Sequence, residues 1–312
     1  MCKDFKKRYS PSSSACPSAR RNRVAKFIFI LLIAVFATNC SRHQGIVVGC
    51  KNFTEQIILG ELIAQQIENK THLPVERRFY LGGTYIAHQS ILAGRIDIYP
   101  EYTGTALTAV LKHSPASDRK MVYDRVKIEY QRRFNLTLGP TFGFNDTFAI
   151  EIRGEDARRL HLQTLSEAAQ YTPRWRPGFG YEFMERTDGY KSLVATYGLR
   201  FAAPPRIMDL GLLTRALKEH QVDLIAGNMT DGLIPALDLF VLDDDKHYFP
   251  PYEAVPVIRE QTLAAHPEVG NVLAELENKI SDSEMRRLNY EVDGKKRDVK
   301  VVVSEFLRNN RL

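Results

Sequence analysis

Ile96-Asp-Ile-Tyr-Pro-Glu-Tyr-Thr-Gly-Thr105 compresses one α/β unit into a single short stretch. Residues 96–99 alternate apolar and polar in the manner of a strand that Pro100 ends. Two tyrosines, a threonine and a glycine form the loop, and a helix is expected over 105–111. The same alternation continues upstream. Ile46-Val-Val-Gly49 reads as a buried strand, and Thr54 as the N-cap of a helix with apolar Ile57, Ile58, Leu62, Ile63 and Ile67 on one face. A strand over 75–79, a Gly82-Gly-Thr84 turn and a helix over 85–92 follow. A second series runs downstream, with strands over 147–152, 222–226, 239–242 and 255–258. Its helices are expected over 165–170, 189–197, 208–220, 268–280 and 299–307. Strands and helices alternating across short loops predict a mostly parallel sheet. Two such series predict two α/β lobes with a cleft between them, and Pro256 marks an edge or crossing segment.

Composition narrows the function. The chain of 312 residues is 44% hydrophobic and 26% charged, which excludes a mainly disordered, collagenous or multi-span membrane protein. Its formal charge of +6 is concentrated at one end. Residues 1–39 hold eight Lys/Arg and one acid, leaving 35 basic and 36 acidic residues in the body. A near-neutral body lacks the footprint of a nucleic-acid binder. The apolar run 27–37 is too short to span a bilayer, and after a basic segment it has the layout of an export signal. Cys40 follows that run as a lipoprotein cysteine does, although Asn39 stands where a small residue is usual. The expectation is an exported protein, free in the periplasm or held to the membrane by a lipid on Cys40. Of four cysteines only Cys50 remains as an ordinary thiol of the body, expected buried at a strand end, with no internal disulfide.

Enzyme signatures are missing from the sequence. It holds no G-x-S-x-G, no H-E-x-x-H and no P-loop, and no Cys/His cluster has zinc spacing. No catalytic residue, metal or cofactor is expected. The acidic run Asp243-Asp-Asp245 reads as a solvated turn rather than a cation site. Aromatics stand out instead, beside turn-forming residues at loop mouths: Tyr99-Pro-Glu-Tyr102, Phe144-Asn-Asp-Thr-Phe148 and Phe249-Pro-Pro-Tyr252. Each alone reads as hinge packing. Together at the carboxyl ends of strands they read as a cage for a weakly hydrated cation, each ring face contributing roughly 0.5–2 kcal/mol.

Six ordered motifs carry a resemblance. They are Lys51-Asn-Phe-Thr-Glu-Gln56, Leu81-Gly-Gly-Thr84, Asp97-Ile-Tyr-Pro-Glu-Tyr-Thr-Gly-Thr105, Thr230-Asp-Gly232, Asp244-Asp-Lys246 and Phe249-Pro-Pro-Tyr252. From about Val47 to the C-terminus the chain resembles the substrate-binding proteins of osmoprotectant ABC importers, which take up glycine betaine, choline and carnitine. The resemblance implies a bilobal periplasmic-binding-protein fold of type II that closes on its ligand. The export-signal layout puts a leader at 1–39, and the resemblance puts one lobe at 40–145 with 253–312 and the other at 146–252. It implies Tyr102, Phe148 and Tyr252 as cage rings, with Asn228 at a fourth position where an aromatic is usual. The candidates for the ligand's polar end are Lys51, Asn52, Gln56, Thr105, Asp146 and Arg186. Asp146 faces a cation or caps a turn, and Arg186 binds a carboxylate or bridges the lobes. The implied partners are a small quaternary amine, and a permease and an ATPase on separate chains, served by a monomer. Two alternatives stay open: a different zwitterion, ergothioneine-like or amino-acid-like, and an enzyme built on a binding-protein fold.

Overall fold

The computed structural model describes residues 45–312. The leader, the apolar run 27–37, Cys2, Cys16 and Cys40 lie outside the described residues. Ten strands follow in chain order. They are β1 (Ile46–Gly49), β2 (Val75–Arg78), β3 (Ile98–Tyr102), β4 (Leu136–Leu138), β5 (Phe148–Arg153), β6 (Pro177–Gly180), β7 (Arg206–Met208), β8 (Leu224–Asn228), β9 (Leu239–Leu242) and β10 (Ala254–Arg259). They form two sheets, ordered β2-β1-β3-β10-β4 and β7-β6-β8-β5-β9.

Each sheet is mixed, which corrects the expectation of a mostly parallel one. β1 runs parallel to β2 and β3, and β6 parallel to β7 and β8. β10 is antiparallel to β3 and β4, and β5 to β8 and β9. Both reversed strands enter from the other lobe, so no crossover helix sets their direction. Pro256 therefore lies on a crossing strand, but in the interior of its sheet rather than at an edge. It faces Pro100 across the ladder. Pro100 does not end β3 as expected. β1 pairs with β3 only through Val48 and Ile98, so the ladder requires no donor at position 100.

The main helices are α1 (Thr54–Thr71), α2 (Thr84–Leu92), α3 (Arg119–Phe134), α4 (Tyr190–Tyr197), α5 (Leu210–Lys218), α6 (Pro267–Ala274), α7 (Asp282–Asp293) and α8 (Val299–Asn309). α1 buries Ile58, Leu59, Leu62, Ile63 and Ile67, each contributing roughly 1.5–3 kcal/mol by leaving water. Its N-cap is Phe53, not Thr54. Thr54 instead donates to Asp293 Oδ1 at 2.7 Å and tethers α7 to the start of α1. The expected helix over 268–280 is shorter than predicted. α6 stops at Ala274, and Ser281 caps a new helix by accepting from Glu284 N at 3.2 Å.

The expected helix over 105–111 is a turn at Thr103–Thr105 followed by a π-helical segment, Ala106–Val110. Asp243 and Asp245 are exposed, as expected of a solvated turn, but Asp244 between them is half-buried and bonded. Asp244 accepts from the Tyr197 hydroxyl and from the amides of Tyr248 and Phe249, fixing the approach to Tyr252. Cys50 is fully buried just past β1, and burial pushes its thiol up to about 12. Among the described residues no helix is long and apolar enough to cross a membrane.

Candidate functional site

β3, β5, β8 and β10 converge where the two sheets face each other. Tyr102 ends β3, Phe148 opens β5, Asn228 ends β8, and Tyr252 stands two residues before β10. Phe148 and Asn228 are cross-strand partners. Gly104 lets the turn after β3 close over Tyr252. A Cβ at that position would stand 2.6 Å from Pro251 O and 2.8 Å from the Tyr252 ring. These residues wall a small cavity of about 70 Å³. Phe148 is its hub, 5.5 Å from the Tyr252 ring at 81° and 4.9 Å from Phe183. Tyr102 stacks against Phe53 at 6.4 Å.

Eight of the ten residues read from the sequence line this cavity: Lys51, Tyr102, Thr105, Asp146, Phe148, Arg186, Asn228 and Tyr252. Two do not. Gln56 is fully buried, and its Oε1 accepts from the Lys51 amide at 3.3 Å. Asn52 donates to Asp209 Oδ2 at 3.3 Å, outside this hollow. Phe53, Gly83, Thr84 and Glu182 complete the wall. Phe53, Gly83 and Thr84 lie inside quoted motifs. Glu182 gave no signal, because its role arises only when the lobes meet. Its Oε1 accepts from Tyr85 N at 3.2 Å, placing a carboxylate on the N-terminus of α2.

Two buried ion pairs flank the rings. Lys51 pairs with Glu101, donates to Thr84 Oγ1 at 3.1 Å, and holds its ammonium 5.0 Å from the Tyr102 ring. Arg186 forms a two-point pair with Asp188, at 2.8 Å from Nε and 2.6 Å from an Nη. Its guanidinium lies 5.1 Å from the Phe148 ring and 5.7 Å from Tyr252. Arg186 also reaches Thr105 Oγ1 at 3.2 Å, so one side chain touches both halves of the site. Burial opposes its charge, yet Asp188 and Tyr252 hold it well above the ordinary arginine value. The Tyr252 hydroxyl donates to Asp188, and burial beside that acid pushes the phenol well above its usual value. The rings thus lie beside the protein's own cations, each neutralised by a fully buried acid.

A third polar cluster joins the halves behind Tyr102. Glu55, at the start of α1, accepts from the Tyr102 hydroxyl at 2.7 Å and from Asn289 Nδ2 at 2.9 Å. The Thr230 hydroxyl contacts Glu55 and also Asp146 Oδ1, the latter at 2.7 Å. A hydroxyl has one hydrogen and can donate to only one carboxylate. The other contact is a hydrogen bond only if one acid keeps its proton. Burial and the neighbouring Glu55 charge hold the Asp146 carboxyl well above the ordinary range. Burial also raises Glu55, partly offset by the bonds from Thr230, Tyr102 and Asn289. Thr230 thus bridges two buried carboxyls, Glu55 and Asp146, both raised by burial.

A family model for the substrate-binding domain of ABC-type glycine betaine transport systems matches residues 44–309. The chain belongs to this family. It is 34% identical over 303 residues to a carnitine transport binding protein of Listeria monocytogenes serotype 1/2a (strain 10403S), covering 93% of this chain and 97% of that one. It is 33% identical over 301 residues to a glycine-betaine-binding protein of Pseudomonas aeruginosa, covering 93% and 96%. The ergothioneine transport permease/ergothioneine binding protein of Helicobacter pylori (strain G27) is 35% identical over 288 residues, covering 91% of this chain. This chain spans about half, 51%, of that protein's length. Among solved structures, a glycine betaine/carnitine/choline ABC transporter component superposes with a TM-score of 0.70 at 36% identity, covering 85% of this chain and 98% of that one. The substrate-binding domain therefore has the bilobal type II fold, one sheet to each lobe, and the relatives that match over their full length are named as binding proteins rather than enzymes.

Two partners within this substrate-binding domain were not among the sequence candidates. Glu101 sits in the Tyr-Pro-Glu-Tyr motif one residue before a cage ring, and Asp188 two residues after Arg186. A strand alternating sides, or a loop folding back, hides which charge meets which until the chain is folded.

Proposed function

We propose that this domain captures a betaine-type zwitterion between its lobes, closes on it, and hands it to a permease and ATPase on other chains. One observation carries the reading. Three rings from three distant motifs, Tyr102, Phe148 and Tyr252, wall one hollow with Arg186 and Lys51 beside them. The rings suit a trimethylammonium head and the two cations suit a carboxylate. Each cation is already matched by an acid, so the pocket is closer to neutral than anionic and favours a zwitterion over a bare cation. The lobes divide at 145/146 and 252/253, where the two crossing segments meet in a bridge between Asn145 and Glu253. Export through the run 27–37 and lipidation at Cys40 complete the proposal, and mass spectrometry of the mature N-terminus tests them.

Calorimetry with glycine betaine, carnitine and choline tests the ligand. Glycine betaine or carnitine is expected to bind more tightly than choline. Tyr102→Ala and Tyr252→Ala are each expected to weaken binding severalfold or more, from the loss of roughly 0.5–2 kcal/mol per ring face. Normal binding by both variants would reduce the rings to packing.

A further inference from the structure

Lys51 walls the ring-lined cavity, and its ammonium has three N–H donors. Glu101 and Thr84 Oγ1 take two of them, leaving one for a solute. Glu101 is fully buried and lies outside the cavity wall, behind Lys51. Its Oε1 accepts from the Lys51 ammonium and also from the Tyr102 amide, the latter at 2.8 Å. A single carboxylate oxygen thus anchors both a cation and a cage ring. The other oxygen, Oε2, has no hydrogen-bond partner among the described residues, and neither have the hydroxyls of Tyr99 and Tyr130. Tyr99 lies two residues before Glu101 on the same face of β3, and Tyr130 of α3 packs in the same core cluster as Tyr99. Burial, with Tyr130 and Glu101 close by, pushes the Tyr99 phenol well above its usual value, and burial and Glu101 do the same to Tyr130. Both phenols therefore keep their protons and stand as donors beside Glu101.

We propose that Glu101 is a specificity-determining residue that ranks zwitterions against cations by setting how much of the Lys51 charge a solute meets. A solute carboxylate is attracted by Lys51 and opposed, from further off, by Glu101. The acid therefore lowers the gain from a carboxylate and keeps the site tolerant of solutes that lack one. Glu101 touches no solute and acts through Lys51, as a positioning residue. This rests on the quaternary-amine reading of the rings.

Glycine betaine and choline share a trimethylammonium head, so the ratio of their affinities reads only the group at the other end. Calorimetry on the protein measures that ratio. Glu101→Gln is expected to raise the betaine-to-choline ratio roughly tenfold or more, and Lys51→Met to lower it by a similar factor. The double variant leaves no unpaired ion, and its ratio is expected between those of the unaltered protein and Lys51→Met. An acid with a merely structural role would weaken both solutes alike in Glu101→Gln, and an unchanged ratio there would overturn the proposal. Glu101→Asp withdraws the same charge by one methylene and is expected to raise the ratio by roughly threefold. It decides the question by the same criterion if Glu101→Gln does not fold. If the unaltered protein binds neither solute, the ring reading falls and takes the role of Glu101 with it. If it binds both and no Glu101 variant moves the ratio, the ring reading stands without this role.

Discussion

The two lobes repeat one sheet plan with different means of holding charge at the site. In each, three parallel strands are joined by an antiparallel strand from the other lobe and flanked by a fifth. The first lobe presents Lys51 against Glu101, with both residues in or beside its own strands. The second presents Arg186 against Asp188 on a loop, and sends the guanidinium over to Thr105. A pair contained within one lobe supports that lobe. A pair whose cation reaches across supports closure. The same chemistry thus serves folding on one side and gating on the other.

Removing the two cations tests this contrast with the largest expected effect. Lys51→Ala and Arg186→Ala each leave a fully buried acid uncompensated, at a cost of about 3–5 kcal/mol. Chemical denaturation should show both losses. Only Arg186→Ala should also abolish ligand-dependent closure, followed by small-angle scattering at ligand concentrations scaled to each variant's affinity. Equal closure in the two variants would break the comparison.

The raised carboxyls of Glu55 and Asp146 give the next effect. Both carboxyls titrate above their ordinary values in the folded protein, so the native state holds a proton that the unfolded chain releases at lower pH. That contribution is complete below the ordinary carboxyl range and is lost as pH rises through the raised value. Thermal stability is therefore expected to fall as pH rises from the ordinary carboxyl range through the raised values, and Asp146→Asn to flatten that slope. An unchanged slope would mean that Asp146 does not titrate above its ordinary range in the folded protein. The smallest effect is expected at the fourth cage position. Asn228→Tyr should tighten glycine betaine by roughly 0.5–2 kcal/mol if it adds a ring face. Weaker binding would show that Asn228 makes a contact of its own.

The lobes also differed in how openly their sequence declares them. In the first, the apolar run of β1 and the long face of α1 can be read directly, because burial on one side leaves a regular pattern. Even there α3 escaped. Its buried stripe is only Val122, Val126 and Tyr130 within a heavily charged helix, and its clearest start signal is Asp118 accepting from Met121 N. In the second, β6 reads Pro177-Gly-Phe-Gly180, residues that signal a turn. It is a strand because β7 and β8 pair with it on both sides, a condition outside its own residues. The cage rings were legible because aromatics beside Pro and Gly are conspicuous. Their ionic partners were not, since pairing depends on the folded loop.

The carboxylate of Glu182 on the first turn of α2 contains no atom of any solute. Whatever it contributes to bringing the halves together, about 1 kcal/mol for a bond of this kind, acts on empty and loaded receptors alike. In the proposed transport role, a stronger clasp would send vacant receptors to the permease, and a weaker one would let captured molecules diffuse away. Gly83, with no side chain to wedge against Glu182, is what permits this clasp, one of several bonds that join the halves beside those of Arg186 to Thr105 and Asn52 to Asp209.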